Sequence, residues 1–307
     1  MIFYSSALAK INTHSAVALG CFDGVHIGHS KIVSSTVAAA KEKSLTSVVW
    51  SFQTPPKNIL SGTDTTGLLT PSNEKKRLMR GLGVDVMISV PFNKKIARLT
   101  PRDFFENILI KRLGAKHIFC GFNYRFGYMG SGDVTLLRSL CEEFGIALTV
   151  VDEVKIDGIT VSSSAIRALL SEGMLDKAEK MLGRPFSVCG KVKDGQHLGR
   201  RLGFPTVNQE VPNGKTLLKN GVYLTRIKLG KAIKYGVTNI GMRPTVSGKE
   251  PICETHILDF DGDLYGKYLT VEFITFLRSE KKFDSLDELS LQVMNDIETA
   301  KKFLNKI

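Results

Sequence analysis

Two histidines stand three residues apart in Gly20-Cys21-Phe22-Asp23-Gly24-Val25-His26-Ile27-Gly28-His29, directly after the apolar run Ser15–Leu19. A strand that feeds a helix through such a turn offers free backbone N–H groups and the positive end of the helix dipole. Both attract phosphate. The glycines let a ligand come close to the backbone. Two imidazoles at the first helical turn could donate hydrogen bonds to charge developing on a phosphoryl oxygen. Alone, H-x-G-H also describes a helix start with two surface histidines. The strand–turn–helix setting favours a nucleotide site.

A second constellation is Gly190-Lys191-Val192-Lys193-Asp194-Gly195-Gln196-His197-Leu198-Gly199-Arg200-Arg201-Leu202-Gly203-Phe204-Pro205-Thr206-Val207-Asn208. Its glycines permit a tight loop whose N–H groups face an anion. The G-x-x-x-x-G-K-[ST] spacing of a P-loop is absent. Thr206 and Asn208 lie two apart, so on a strand they share a face. Their oxygens suit Mg²⁺, which prefers oxygen ligands. A glycine-rich hairpin with a solvated arginine pair is the alternative.

The elements that would hold these residues change character along the chain. In the first half, apolar runs at 15–19, 47–52, 84–90, 116–120 and 146–151 alternate with helical stretches. These helices are expected at 27–43, from Thr70-Pro71, from Thr100-Pro101 to about 113, and at 134–144. Thr before Pro is a helix-start pattern: the threonine caps and proline suits the first turn. Alternation of this kind implies βαβ units and a parallel sheet, with ligands beyond the C-terminal strand ends. Two short helices, 163–171 and 174–182, close this half, and Gly183-Arg184-Pro185 reads as a boundary. The second half offers closely spaced strands at 186–193, 221–228, 232–240, 252–260 and 268–276, separated by Gly and Asp turns. That spacing suggests an antiparallel barrel or sandwich. A terminal helix over 285–304 carries Leu286, Leu289, Val293 and Ile297 at helical spacing, a stripe expected to pack on the barrel.

Composition bounds the function. The 307 residues are 43% hydrophobic and 23% charged, which excludes a disordered or fibrous chain. About two domains fit this length. No run is apolar enough for a membrane helix. The five cysteines include no C-x-x-C pair, and their odd number argues against a disulfide framework. A reducing cytoplasm is the expected location. The net charge of +12 is shared equally by residues 1–183 and 184–307, with no basic tail. Such a balance suits anionic small molecules as well as nucleic acid.

The longer G-x-F-D-G-x-H-x-G-H pattern resembles the N-terminal module of bacterial bifunctional riboflavin kinase/FAD synthetases. Leu69-Thr70-Pro71-Ser72-Asn73-Glu74-Lys75, Gly121-Phe122-Asn123-Tyr124-Arg125-Phe126-Gly127 and Val161-Ser162-Ser163-Ser164-Ala165-Ile166-Arg167 are similar to further motifs of that module. The 190–208 segment looks like the riboflavin kinase module. So do Gly236-Val237-Thr238-Asn239-Ile240-Gly241-Met242-Arg243-Pro244-Thr245, Glu254-Thr255-His256-Ile257-Leu258-Asp259-Phe260 and Asp263-Leu264-Tyr265-Gly266-Lys267.

The resemblance implies a Rossmann-like α/β nucleotidylyltransferase domain over 1–183 and an antiparallel β-barrel kinase domain with a terminal helix over 184–307. It implies that His26 and His29 contact ATP phosphates, with Gly20, Phe22, Asp23 and Gly28 among the nucleotide-binding residues. Asn123 would position nucleotide or FMN, and Ser163, Ser164 and Arg167 would hold the triphosphate. In the kinase module, Gly190, Gly195, Gly199, Arg200, Phe204 and Pro205 would form the substrate loop. Thr206 and Asn208 would hold Mg²⁺, and Glu254 would take the hydroxyl proton. Phe126, Tyr128 and Arg278 are candidates for the flavin ring, and His256 is expected to be structural. The implied substrates are ATP, riboflavin and FMN, with no nucleic-acid or membrane partner and a monomer or weak homo-oligomer. Two departures stand out. Phe52-Gln53-Thr54-Pro55-Pro56 lacks the histidine that many relatives carry after the second strand, and Thr160 stands where some have Arg. A kinase with weakened adenylyltransferase, or a flavin- or nucleic-acid-binding regulator on the same fold, are the alternatives.

Overall fold

In a computed structural model of the chain, all residues are described except 61–66, 195–198, 200, 201, 231, 246, 247 and 307, and the side chains of 60, 243–245, 248 and 249. Gly195 and Arg200 of the expected substrate loop therefore lie outside the described residues. The chain divides into two compact units, Met1–Ser163 and Ser164–Ile307.

The first unit is built on a six-stranded parallel sheet. Its strands are β1 (Ile2–Tyr4), β2 (Ser15–Leu19), β3 (Thr46–Phe52), β4 (Val86–Val90), β5 (Ala115–Gly121) and β6 (Ala147–Val151), in the spatial order β1-β4-β3-β2-β5-β6. All five residues of β2 are buried. Val17 and Leu19 join one apolar cluster, with Trp50, Ile88 and Phe105. Ala16 and Ala18 join the other, with Val33, Met87 and Phe119. Both faces are thus covered, which is why these strands read as continuous apolar runs instead of alternating ones. Helix α1 (Ile27–Glu42) follows β2 and leads to β3 on one side. The chain later returns to place β5 on the other side of β2. The loops after β2 and β5 therefore flank the point where the winding reverses, the usual ligand crevice of such sheets.

Three shorter helical pieces differ from the sequence expectation. Thr70 does not cap the helix that follows; α2 (Pro56–Leu60) and α3 (Ser72–Gly81) precede β4, and α3 starts at Pro71 without a side-chain cap. The Thr70 hydroxyl instead donates to Asp23 and accepts from the Gly24 N–H, because a buried carboxylate claims it first. Thr100 does cap as expected, accepting from the Asp103 N–H. Beyond α4 (Lys94–Ala97), α5 (Pro101–Asp103) runs on into one π-helical stretch, Phe104–Ile110. Helix α6 (Val134–Glu143) and a hairpin of β7 (Lys155–Ile156) and β8 (Ile159–Thr160) complete the unit.

Helix α7 (Ser163–Glu172) begins on the last residue of the first unit and lies otherwise in the second, followed by α8 (Leu175–Leu182), which ends on left-handed Gly183. Six antiparallel strands then close into a barrel: β9 (Ser187–Lys193), β10 (Thr206–Gln209), β11 (Gly221–Leu229), β12 (Ala232–Thr245), β13 (Gly248–Ile257) and β14 (Tyr268–Arg278). Their cyclic order is β10-β13-β12-β11-β14-β9. Closure removes the exposed edges an open sheet would leave. Tyr223, Thr225, Thr238 and Thr255 are fully buried. The three threonine hydroxyls form a chain with 2.7 and 2.9 Å spacings. Alternate residues Val222, Leu224 and Val237 face the other way and pack with Ile297 and Ala300 of the terminal helix α9 (Leu286–Leu304). Only the C-terminal part of the expected α9 stripe serves as this core. Leu286 is half exposed, at 49%.

Strand β10 is four residues long, yet it pairs with both β9 and β13 and so completes the barrel. At Gly190 of β9, an added Cβ would come within 1.8 Å of the Glu210 carbonyl oxygen. Glycine here is a condition of strand approach. Gly190→Ala should therefore destabilise the chain by about 2 kcal/mol or more, seen as a lower urea midpoint. An unchanged midpoint would show that β9 and β10 do not approach this closely.

Candidate functional sites

The first site grows from the end of β2. Asp23 is 2% exposed, and its carboxylate accepts from the backbone N–H groups of Leu69 and Thr70 at 3.2 and 3.0 Å. The L-T-P-S-N-E-K segment is thereby drawn onto the histidine loop. Lys75 from the same segment is buried, and its ammonium donates to the carbonyls of Cys21 and Phe52 at 2.9 and 3.2 Å. Burial lowers the Lys75 pKa, and the Asp23 carboxylate opposes that shift. A buried cation and anion thus pin the ends of β2 and β3 together. Around them the backbone is strained. Phe22 and Val25 have φ of 50° and 40°, unusual for non-glycine residues and most so for a β-branched one.

This brace fixes the imidazoles. His26 caps α1, and its Nδ1 accepts from the His29 N–H at 3.2 Å. An accepting Nδ1 carries no proton, so in the neutral ring the proton sits on Nε2. The two rings stack with centroids 3.6 Å apart, and Phe22 meets His29 edge-on at 5.3 Å. A Cβ at Gly28 would lie 3.3 Å from the His26 ring, and one at Gly20 would lie 3.0 Å from Phe22. Both glycines therefore make room for neighbouring rings. Phe22 itself is fully buried in the core. His29 is half-buried, and its Nδ1 is sealed off without a hydrogen-bond partner.

Other expected residues of this module occupy diverse settings. Ser163 donates to the Asp23 carbonyl at 2.8 Å, which places the first residue of α7 against the same loop. Ser164 and Arg167, on the first two turns of α7, fall within the second compact unit. Asn123 is exposed on the loop after β5, as are Phe122, Tyr128 and Met129 along the same connection. Phe126 is buried in the core, so this structure does not present it as a flavin contact. Gln53 uses its amide on the Ser89 carbonyl, and Thr160 donates to Glu153.

The second site lies on the outer face of the barrel wall. The Thr206 hydroxyl donates to Glu254 Oε1 at 2.8 Å. In the strand register, Asn208 stands opposite Glu254 on one side and Asn239 on the other. Thr206 and Val237 flank His256 in the next row. These rows open on a cavity of about 590 Å³ that α9 and the β14–α9 connection also line. His256 Nδ1 lies 2.9 Å from the Pro205 carbonyl. A carbonyl only accepts, so Nδ1 carries the proton. The ring also meets Phe204 edge-on. A Cβ at Gly199 would strike the Phe204 carbonyl oxygen at 2.4 Å and approach Thr206 Oγ1 at 3.1 Å. Gly199 thus lets Phe204 and Thr206 come close to its backbone, whereas Gly190 belongs to the barrel wall.

Several residues that line this cavity had no site role in the sequence reading. Asn239 was quoted only as part of a longer motif. Leu289 and Val293 were assigned to core packing, but they line the cavity. Asp296 holds the Arg278 guanidinium through contacts of 2.8, 3.1 and 2.8 Å. The signal for the last pair was a lone acidic residue on an otherwise apolar helix face.

Comparison with known proteins fits both sites. A family model described as FAD synthetase matches residues 8–165, and one described as riboflavin kinase matches residues 182–304. The bifunctional riboflavin kinase/FMN adenylyltransferase of Escherichia coli (strain K12) is 36% identical over 94% of this chain and 92% of its own length. That of Bacillus subtilis (strain 168) is 33% identical over 95% and 93%. The chain belongs to this family. As a riboflavin kinase/FMN adenylyltransferase it is a transferase with two activities, and ATP, riboflavin and FMN are its substrates. A crystal structure from Streptococcus pneumoniae, described as a macrolide-efflux protein, superimposes with a TM-score of 0.88 at 29% identity, over 98% of both chains. Among the described residues of this family member, no helix is long and apolar enough to cross a membrane.

Burial holds the His29 imidazole well below its ordinary value of 6.5, and His26 and Lys75 push the same way. In the unfolded chain that ring takes up a proton near its ordinary value, while the folded ring resists. The unfolded state then holds more protons, so stability falls as pH drops below about 6.5. Thermal midpoints from about pH 7.5 to about pH 5.5 should fall for the wild type and fall less steeply for His29→Gln. Parallel curves would mean that the ring is not held neutral.

Proposed function

We propose that residues 184–307 carry the riboflavin kinase reaction on the Thr206–Glu254 pair, and that residues 1–183 carry FMN adenylylation on the His26–His29 pair. The kinase assignment rests chiefly on one observation: Glu254 lies 2.8 Å from Thr206 and directly across β10 from Asn208. A carboxylate so placed can take the proton of an incoming hydroxyl. The riboflavin 5′-oxygen then bonds to the γ-phosphorus, the bond from that phosphorus to the β,γ-bridging oxygen breaks, and ADP leaves.

The donor set fits Mg²⁺. Thr206 and Asn208 offer neutral hard oxygens beside a carboxylate, and no cluster of His, Cys, Asp and Glu suited to a softer metal occurs among the described residues. Thr206 and Asn208 would hold the ion, which when bound neutralises phosphate charge. Gly199, Phe204 and Pro205 wall the substrate loop, and the Pro205 carbonyl is tied to His256.

In the adenylyltransferase, an FMN phosphate oxygen bonds to the ATP α-phosphorus and pyrophosphate leaves. The protein mainly positions the partners and supplies N–H donors. His26 sets its imidazole beside the first N–H groups of α1. His29, held neutral before nucleotide arrives, donates without a fixed charge that would need solvation. Gly20, Phe22, Asp23 and Gly28 set this geometry from behind. Asn123 and Ser163 complete the nucleotide and FMN contacts of this unit. We further place the enzyme in the cytoplasm as a monomer or weak homo-oligomer, without nucleic-acid or membrane partners, consistent with five free cysteines.

Incubation with riboflavin, ATP and Mg²⁺, followed by chromatographic separation of flavins, tests the assignment. Glu254→Gln should lower FMN formation by about 10²–10⁴-fold while added FMN still becomes FAD. Loss of both activities would argue against separate sites. His29→Ala should slow FAD formation by about 10²-fold and spare FMN formation; an unchanged FAD rate would remove His29 from the mechanism.

A further inference from the structure

The Asn239 side chain lines the kinase cavity, and its Oδ1 is buried with no hydrogen-bond partner. Burying an amide oxygen unpaired is unfavourable unless something outside the protein completes it. Of the other buried unpartnered side-chain atoms among the described residues, on His29, Trp50 and Gln209, none belongs to a residue that lines this cavity. Asn239 is also the register partner of Glu254 across β12 and β13. Side chains directly opposite on an antiparallel pair have Cβ atoms about 5 Å apart. One hydroxyl oxygen at about 2.8 Å from each group fits between such a pair.

The rest of the cavity fixes what kind of molecule brings that hydroxyl. Phe204, Phe283, Leu289 and Val293 supply apolar surface from the substrate loop, the β14–α9 connection and α9. Thr206, Asn239 and Glu254 supply the polar side from neighbouring barrel strands. A ligand with a flat apolar body and a hydroxylated chain matches both sides. We infer that the Asn239 carboxamide reads the polyol chain of the flavin substrate and steers its terminal hydroxyl onto Glu254. A hydroxyl both donates and accepts, so it satisfies the amide whichever way its oxygen and nitrogen are turned. This inference rests on the riboflavin kinase reading of the cavity, and it makes Asn239 a specificity-determining residue.

The test uses the full chain and a flavin ring that carries methyl in place of the ribityl chain (lumiflavin). For wild type, Asn239→Leu and Asn239→Ala, one measures the KM for riboflavin and for ATP in FMN formation. The inhibition constant of lumiflavin against riboflavin is measured in the same assay. Both variants should raise the riboflavin KM by about ten-fold, leave the ATP KM within about two-fold, and leave lumiflavin inhibition unchanged. Conversion of added FMN to FAD at the wild-type rate shows that the chain is folded. Asn239→Leu should keep or raise the thermal midpoint, because it removes an unsatisfied polar atom and retains volume. Equal weakening of riboflavin and lumiflavin, or weakening of neither, would overturn the role of Asn239 and leave the kinase assignment standing. A wild-type chain that does not form FMN would overturn both.

Discussion

The hydrogen bond from Thr206 to Glu254 depends on a strand of only four residues being clamped on both sides. Strand β10 has too little length to stay extended by itself, and β-strands that short are stable only as part of a larger ladder. Barrel closure supplies that ladder, with β9 on one edge and β13 on the other. A hydroxyl, an amide and a carboxylate thereby share one face of three adjacent strands, Asn208–Glu254–Asn239 in one row and Thr206 in the next. The same closure explains Gly190, where only glycine admits the Glu210 carbonyl. A single constraint thus ties barrel geometry to the placement of Thr206, Asn208, Glu254 and Asn239.

The first unit solves its positioning problem differently. No ring of strands surrounds the histidine loop. A buried carboxylate and a buried ammonium do the work, Asp23 toward residues 69–70 and Lys75 toward the ends of β2 and β3. Such groups are costly to bury unless their hydrogen bonds are made, and here most of those bonds go to backbone. They hold Phe22 and Val25 in strained conformations and leave His26 and His29 stacked at the start of α1. Asp23 therefore shapes the histidine loop from inside the fold.

The two sites also share a pattern. Each has a buried polar atom without a protein partner, Nδ1 of His29 and Oδ1 of Asn239. Of the two residues, only Asn239 lines the barrel cavity.

Much of this was legible in the residues themselves. Apolar runs and turn residues gave the parallel sheet and the antiparallel strands, because burial imposes local periodicity. The motifs at 20–29, 190–208 and 254–260 pointed to the family that the comparisons show, because phosphate chemistry restricts which residue types can serve. Other features were not legible. Thr70 looked like a helix cap and became a partner of Asp23; Leu289 and Val293 looked like core and became a cavity wall. Asn239 carried no signal apart from its motif, since an unpaired amide is defined by what surrounds it. Local sequence fixes what a residue prefers over a few neighbours. Which distant group competes for it, and which face of a closed barrel is left uncovered, is settled only when segments tens of residues apart are packed together.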